Sequence, residues 1–285
     1  MRRIADRSAY RKYSDLETFV DSCDWADGIH EINHLGLPLH FKLRFHSHAS
    51  PTVVVFAHML ADGASLTSVP RFNGDRLTEP LKANVILVSD PSMLLSNSLR
   101  TTYYAGNPLQ PTLQKDIASV CSALSMGQRL IFFGTSSGGF AALVSALHSP
   151  GSMAFVSNPV VNFRIRREPA EEFLRIVWGE TADTFKWNSA SFIWDVVKRF
   201  EVPVPAKVVY HQNPRDRVWE KWHYGNFAER YHPQNEVVFN RSDVGPGHVF
   251  PTNTWLYRVL RRMVEAEDFD AIRDVGRWKL RGYGK

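Results

Sequence analysis

Residues 129–148, RLIFFGTSSGGFAALVSALH, decide the fold of this chain. Residues 129–133 are mostly apolar, which predicts a strand buried on both faces of a sheet. A glycine-rich turn follows at once, and an alanine-rich run at residues 138–148 predicts a helix. A buried strand that turns directly into a helix is typical of a mostly parallel sheet covered by helices on both faces.

The chain on both sides of this stretch alternates in the same way. Further strands are expected at residues 52–57 (TVVVFA), 84–89 (NVILVS), 153–156, 207–210 and 236–239, and helices at residues 111–125 and 252–267. Residues 37–45 alternate with a two-residue period, which predicts a half-exposed strand that pairs antiparallel at one edge of the sheet. In this interpretation the sheet begins near Gly36.

Residues 160–202 form a longer insertion between two predicted strands. Helices are expected within it at residues 171–178 and 189–200, so it is predicted to be a small helical cap over the site. Pro203 and Pro205 end the insertion. Because no low-complexity linker or internal repeat divides the chain, we expect a single domain over residues 1–285.

Composition limits the class of protein. The 285 residues are 44% hydrophobic, enough for a large core, and the net charge is +5 with a pI near 9.2. Positive charge is concentrated at the two ends, without a basic stripe interleaved with aromatics. We therefore expect solvated termini and no nucleic-acid partner, and the alternative is a contact of the basic termini with nucleic acid, another anionic polymer or a membrane surface. The basic residues of the ends are Arg2, Arg3, Arg7, Arg11, Lys12, Arg261, Arg262, Arg273, Arg277, Lys279, Arg281 and Lys285.

Cysteine and histidine usage excludes several other classes. The two cysteines, Cys23 and Cys121, cannot form a disulfide framework, and no histidine pair has metal-ligand spacing. No glycine fingerprint for a dinucleotide is present, so neither a metal nor a cofactor is expected. The N-terminus lacks an apolar stretch, and no apolar run has membrane-spanning length, which favours a cytoplasmic protein without a membrane span.

The centre of the deciding stretch carries a motif. Residues 134–138, GTSSG, match G-x-S-x-G and resemble the nucleophile elbow of the α/β-hydrolase family. The resemblance implies that Ser136 is a nucleophile on a strained turn, with Ser137 N–H as one donor of the oxyanion hole. A plain glycine-rich turn or a phosphate loop is the alternative, although no Gly-Lys-Ser or Gly-Lys-Thr of a P-loop follows.

A serine nucleophile requires a histidine base and a carboxylate. In this family the acid follows a late strand and the base follows the last strand, which indicates Asp216 in HQNPRD and His248 in SDVGPGHVFP. The order Ser136, Asp216, His248 is the family's order. Asp243 and Asp195 are the other carboxylates considered, and we expect both to be surface charges. Some relatives carry the acid after the strand at 153–156, where this chain has Ser-Asn-Pro at residues 157–159.

The resemblance extends over residues 37–267 and implies a sheet of about eight strands. The second oxyanion donor would be Met59 N–H, with His58 N–H as the alternative. His58, Tyr103 and Tyr104 are predicted to contact substrate, with packing in the core or cap as the alternative for the two tyrosines.

The activity implied is hydrolysis of a carboxylic ester through an acyl-enzyme, without a cofactor. The segments GTSSGGFAAL and QNPRD look similar to bacterial esterase-like proteins that act near cell-surface glycans, which suggests a small-molecule or glycan-linked acyl ester as substrate. Two alternatives remain. An acyltransferase or a peptidase would use the same triad, and a catalytically silent protein of this fold would serve binding or assembly.

Overall fold

The computed structural model describes residues 3–4, 9–22, 25–61, 68–165 and 167–278. The strands are β1 (Arg3–Ile4), β2 (Arg11–Tyr13), β3 (Gly28–His34), β4 (Leu37–Arg44), β5 (Thr52–Phe56), β6 (Ser68–Val69), β7 (Asn84–Ser89), β8 (Leu130–Thr135), β9 (Met153–Ser157), β10 (Lys207–Gln212) and β11 (Val237–Arg241). The α-helices are α1 (Leu16–Asp21), α2 (Asp75–Thr78), α3 (Leu113–Leu124), α4 (Ser136–Leu147), α5 (Arg167–Phe173), α6 (Val197–Phe200), α7 (Gly225–Arg230) and α8 (Asn253–Glu265).

A mostly parallel sheet of nine strands forms the centre of the molecule. Its order is β11-β10-β9-β8-β5-β7-β4-β3-β2, and β4 runs antiparallel to both of its neighbours while every other pair in the sheet is parallel. The α/β architecture expected from the sequence is therefore confirmed, with nine strands where about eight were expected. β1 and β6 pair separately as a two-stranded parallel sheet.

The position expected for β4 is wrong, because this strand does not form the edge of the sheet. β4 lies between β7 and β3, and β2 lies beyond β3. Leu35 and Gly36 join β3 to β4 in a tight hairpin turn, with φ of 53° and 87°, as a two-residue turn with both central residues left-handed requires. The sheet therefore begins well before Gly36.

Each face of the sheet is covered by its own hydrophobic core. Within β5, Val54 and Phe56 pack into the core that contains the buried sides of α1, α3 and α4, whereas Val53 and Val55 pack into the core that contains α2 and α8. This double burial explains why the strand is uniformly apolar. Because both faces of the sheet are covered, polar groups collect in the loops at the carboxyl ends of the parallel strands.

The insertion at residues 160–202 contains less helix than predicted. α5 continues into a π-helical segment, Leu174–Trp178, but residues 190–196 contain no helix, so the expected helix at 189–200 is reduced to α6. The reason lies in tertiary partners: Ile193 N donates to Gln114 Oε1 at 2.7 Å and Val196 N donates to Val161 O at 2.8 Å. The role of this segment as a cap stays a prediction.

The turn from β8 into α4 is the tightest part of the fold, because the helix begins at the residue after the strand ends. Ser136 occupies this position with φ of 50°, in the left-handed region. A Cβ on Gly134 would lie 2.1 Å from Gly138 O, and one on Gly138 would lie 2.6 Å from Phe56 O. Both distances are far below van der Waals contact with backbone, so glycine is required at both positions.

Gly138→Ala is expected to destabilise the protein by about 3 kcal/mol, because backbone of β5 must move away from the new methyl group. Urea unfolding followed by circular dichroism measures this change. Gly225→Ala is the matched control: its Cβ would lie 3.4 Å from Glu220 O, with no left-handed φ, so the same substitution should be neutral or slightly stabilising. Equal unfolding free energies for the two variants would contradict the account of the turn.

Candidate active site

The three residues expected to form a triad lie in contact at the carboxyl edge of the sheet. His248 Nε2 lies 3.0 Å from Ser136 Oγ, and His248 Nδ1 lies 2.5 Å from Asp216 Oδ2. With Nδ1–H donating to the carboxylate, Nε2 is left as an acceptor for the serine proton. These distances form one continuous chain of hydrogen bonds across residues far apart in sequence.

Ser136 is held at the N-terminus of α4 by the strained turn. The residue is 5% exposed. Its carbonyl accepts a hydrogen bond from Val160 N at 3.0 Å, which ties the elbow to the segment after β9. The first N–H groups of a helix have no partner within the helix, so the N-terminus of α4 favours negative charge.

Asp216 is fixed in the loop after β10. Its backbone N–H donates to Asn213 O at 3.1 Å, and its own carbonyl accepts from Glu220 N at 2.8 Å. Its Oδ1 faces Trp219 N at 3.4 Å, which leaves Oδ2 for His248. The carboxylate is nearly fully buried, so its charge acts on His248 with little screening by solvent.

Two aromatic rings restrict the orientation of the His248 ring. The Trp219 ring lies 3.7 Å from it, centroid to centroid, at an interplanar angle of 31°. Phe250 contacts it edge-on at 5.0 Å. The His248 side chain remains 26% exposed, so the base is restrained but open to a substrate or to water.

The other two carboxylates considered, Asp243 and Asp195, bind residues other than His248. Asp243 is an exposed side chain that pairs with Arg215 at 3.6 Å, as expected of a surface charge. Asp195 is buried rather than exposed, which corrects the prediction for this residue. Its Oδ1 accepts from Val197 N at 3.0 Å at the start of α6, and its Oδ2 accepts from Asn162 Nδ2 at 2.8 Å.

The residues predicted for the oxyanion hole lie on two different elements. Ser137 is the second residue of α4, and Met59 lies half-buried in the loop after β5. The carbonyl of the same peptide unit as Met59 N–H, His58 O, accepts a hydrogen bond from the Arg71 guanidinium. Because a charged donor on a carbonyl polarises the peptide, this contact would strengthen Met59 N–H as a donor. The roles of Ser137 and Met59 stay predictions.

His58 lies close to the triad with its ring largely desolvated. Its Nδ1 is 3.2 Å from Asn73 Nδ2 and 3.4 Å from Thr135 Oγ1. Burial, followed by the positive charges of Arg71 and His248, lowers the pKa of His58 to about 4. The ring is therefore neutral at ordinary pH, which suits a residue that lines a site and does not repel a protonated His248.

The structure corrects the prediction that Tyr103 and Tyr104 contact substrate. Tyr103 is buried and stacks on Phe163 at a centroid distance of 4.1 Å. The Tyr104 hydroxyl donates to Val88 O at 3.0 Å and accepts from Ala57 N at 2.8 Å, which joins the ends of two strands. Both rings belong to the core, where a hydroxyl needs a backbone partner.

A cavity of about 660 Å³ opens beside His248, His58 and Thr135. It extends between the segment at residues 72–77 and the start of α8. Apolar side chains form part of its wall, and four further polar side chains lie among them. The apolar wall includes Val55, Phe133 and Leu256, and the four polar side chains are Asn73, Asp75, Arg76 and Asn253.

Two functional candidates were missed by the sequence reasoning, namely Asn158 and Asn213. Both are fully buried asparagines, and both bond to the backbone of the loop that carries His248. Each directly follows a strand, β9 and β10 respectively. A polar residue at the carboxyl end of a parallel strand is the signal that could have found them.

No cluster of three or more His, Cys, Asp or Glu residues in the described part of the chain could hold a metal ion. None of the helices in the described ranges is long and apolar enough to cross a bilayer. Several residues named in the sequence analysis, namely Arg2, Arg7, Cys23, Lys279, Arg281 and Lys285, lie outside the described residues.

Comparison with solved structures identifies the fold. The capsule O-acetyltransferase of Neisseria meningitidis serogroup A superimposes with a TM-score of 0.60 at 15% identity, over 81% of this chain and 96% of that one. Acetyl xylan esterase 1 from Thermoanaerobacterium gives 0.52 at 12% identity over 82% and 80%, and esterase B from Lactobacillus rhamnosis gives 0.52 at 11% over 84% of each chain. No family model and no curated protein sequence matches this chain.

The nine-stranded, mostly parallel sheet and these likenesses together define the class: the chain has the α/β-hydrolase fold. The neighbours named here are two esterases and an O-acetyltransferase. At 11–15% identity the likeness shows the fold, and the chemistry of this chain has to be argued from its own residues.

In His58→Gln, the free energy of unfolding is expected to decrease less between pH 6.5 and pH 4 than it does in the parent protein. A histidine whose folded-state pKa is about 4 binds a proton more readily when unfolded, so stability falls as pH decreases from 6.5 through 4. Urea unfolding at a series of pH values measures the slope. His46→Gln, at an exposed histidine, is the control. If His58→Gln left the acid slope identical to that of the parent protein, the buried neutral state of His58 would be wrong.

Proposed function

We propose that this protein is a serine hydrolase that cleaves a carboxylic ester through an acyl-enzyme on Ser136. The observation that supports the proposal is the unbroken hydrogen-bond chain from Ser136 Oγ through His248 to Asp216, at 3.0 and 2.5 Å. A base within hydrogen-bond reach of the nucleophile and itself oriented by a carboxylate is the arrangement that activates a serine.

In the first half of the reaction, Ser136 Oγ attacks the ester carbonyl while His248 Nε2 accepts the hydroxyl proton. Asp216 stabilises the imidazolium and remains ionised. The carbonyl electron pair moves onto oxygen, where Ser137 N–H and Met59 N–H would donate to it. Collapse of the intermediate breaks the ester C–O bond, and the leaving alcohol takes the proton from His248.

In the second half, a water molecule replaces the alcohol. His248 accepts a proton from this water as its oxygen attacks the acyl carbonyl, and the intermediate collapses to release the carboxylic acid and to return the proton to Ser136. The His248 side chain is 26% exposed, so solvent reaches part of the ring. Neither half-reaction requires a metal or an organic cofactor.

The cavity and the neighbours support a proposal for the substrate class. The cavity beside His248 combines an apolar wall with amide, guanidinium and carboxylate groups, which suits an ester that has a polar alcohol portion. Two neighbours are named as an acetyl xylan esterase and a capsule O-acetyltransferase. We therefore propose a small-molecule or glycan-linked acyl ester as substrate.

Acyl transfer to an alcohol is the second candidate, supported by the same cavity, which has room for an acceptor next to the base. The O-acetyltransferase likeness covers 96% of that chain. In this reaction a glycan hydroxyl would take the place of water in the second half, with His248 accepting its proton. Hydrolysis and transfer therefore differ only in the nucleophile that attacks the acyl-enzyme.

Labelling with a fluorophosphonate probe tests the proposed nucleophile. Stoichiometric modification mapped to Ser136 is expected, with complete loss of labelling in Ser136→Ala and a severe loss in His248→Ala. Ser145→Ala is the matched control, because Ser145 is a buried serine on the same helix. Unchanged labelling in folded Ser136→Ala would end the proposal.

Asp216→Asn is expected to retain the fold and to lower kcat on an aryl acetate by about 10⁴-fold, because the amide cannot stabilise the imidazolium or hold the required tautomer. Asp243→Asn is the control, because it also removes one carboxylate, but from an exposed residue that pairs with Arg215. This variant is expected to keep full activity. Equal kcat values for the two variants would remove Asp216 from the triad.

Product partition distinguishes hydrolysis from transfer. The aryl acetate is incubated with and without a high concentration of a sugar alcohol, and released acetate is compared with acetylated alcohol by mass spectrometry. Acetate as the main product in both conditions supports the hydrolase. A predominantly acetylated alcohol would overturn hydrolysis in favour of transfer by the same residues.

A further inference from the structure

We propose that Asn158 and Asn213 are positioning residues that set the position of His248 by holding the backbone on both sides of it. The proposal rests on the proposed function of His248 as the base. The two asparagines follow adjacent strands, β9 and β10, and so lie side by side at the edge where the site is built.

Within the loop that carries His248, Asp243 Oδ1 accepts from Gly245 N at 2.8 Å and Gly247 O accepts from Val249 N at 2.9 Å. Gly245 and Gly247 have φ of 112° and 81°, in the region that favours glycine, so the loop lacks side chains at these two turns. Asn213 adds contacts from outside the loop: its Nδ2 donates to Gly245 O at 2.8 Å and to Gly247 O at 3.0 Å. One amide group therefore holds two of the peptide units before His248, those that join Gly245 to Pro246 and Gly247 to His248.

Asn158 holds the other side of His248. Its Nδ2 donates to Val249 O at 2.9 Å, and its Oδ1 accepts from Asn213 N at 2.7 Å. Asn158 thus links Val249, which follows His248, to the backbone of Asn213. Its φ of 43° is a conformation that asparagine adopts more readily than most residues.

Both positions require an amide because each side chain donates at one end and accepts at the other. Asn213 Oδ1 accepts from Arg215 N at 3.2 Å and faces Val244 N at 3.4 Å, while its Nδ2 is saturated by two carbonyls. A carboxylate would place an acceptor against those carbonyls, and an apolar residue would leave buried groups without partners. Both asparagines have 0% exposure, so water cannot replace the lost bonds.

A merely structural role predicts a different outcome from a positioning role, and the chain offers a matched control. Asn235 is a buried asparagine whose Nδ2 donates to Phe200 O at 2.8 Å and Val202 O at 3.1 Å, while its Oδ1 accepts from Val204 N at 2.8 Å. It therefore bridges two carbonyls two residues apart, as Asn213 does, in a loop that carries no triad residue.

The kinetic test compares Asn213→Asp and Asn158→Gly with Asn235→Asp, using an aryl acetate and full-length protein. Glycine at 158 removes the side chain without straining the left-handed backbone. A displacement of the base by about 1 Å is expected to lower kcat by about 10²-fold with little change in KM. All three variants should unfold more easily in urea, and only the two site variants should lose kcat.

A spectroscopic readout is independent of turnover. The short Nδ1–H to Asp216 hydrogen bond is expected to give a far-downfield proton NMR resonance that disappears in His248→Ala. Asn235→Asp should keep it, and Asn213→Asp and Asn158→Gly should shift or broaden it. If the parent protein shows the resonance but has no esterase activity, the proposed function is refuted. The resonance in the variants then still tests whether the two asparagines position His248.

Parent-like kcat and an unshifted resonance in either folded site variant would overturn the proposal. Loss of kcat in Asn235→Asp equal to that in the site variants would also overturn it, because destabilisation alone would then explain the effect. If Asn213→Asp fails to fold, Asn158→Gly carries the test, since it introduces neither a charge nor strain.

Discussion

The turn from β8 into α4 is the constraint on which the rest of the structure depends. Because Gly138 lies against the backbone of β5 and Gly134 lies against Gly138, strand, turn and helix are fixed within contact distances that leave no room for a methyl group. A residue held in the left-handed region in such a place costs about 1–3 kcal/mol, which the packing around it must offset. Ser136 is that residue.

The direction of the strands then determines what can reach Ser136. Since β8, β9, β10 and β11 are parallel neighbours, the loops that follow them leave the same edge of the sheet. Each of these loops contributes polar groups to one network, in which Asn158 and Asn213 join the loops of Asp216 and His248. A buried polar network of this kind is costly unless every member is paired, so its members also restrict one another's positions.

Sequence reasoning succeeded where a local pattern and the tertiary environment agree. The uniformly apolar β5, β7 and β8 were predicted because strands buried on both faces have no polar positions. It missed β3, where Glu31 and His30 are buried but polar, because a sequence pattern does not show that His40 Nε2 lies 3.0 Å from Glu31 Oε2 on the next strand. Residues 190–196 were mistaken for helix because their partners, such as Gln114, are distant in sequence.

The residues of the candidate site also fall into those that the sequence predicted and those that it did not. Ser136, Asp216 and His248 were predictable because each residue type is demanded by the chemistry and each follows a strand in a known order. Tyr103 and Tyr104 were misplaced because an aromatic residue suits a pocket and a core equally well by type. Asn158 and Asn213 were missed because their position after a strand indicates only that they lie at the carboxyl edge of the sheet, whereas the backbone atoms that they bind are distant in sequence. The side chains proposed to react can therefore be predicted from a sequence, whereas those proposed to hold them in place are recognised once the backbone that they bind has coordinates.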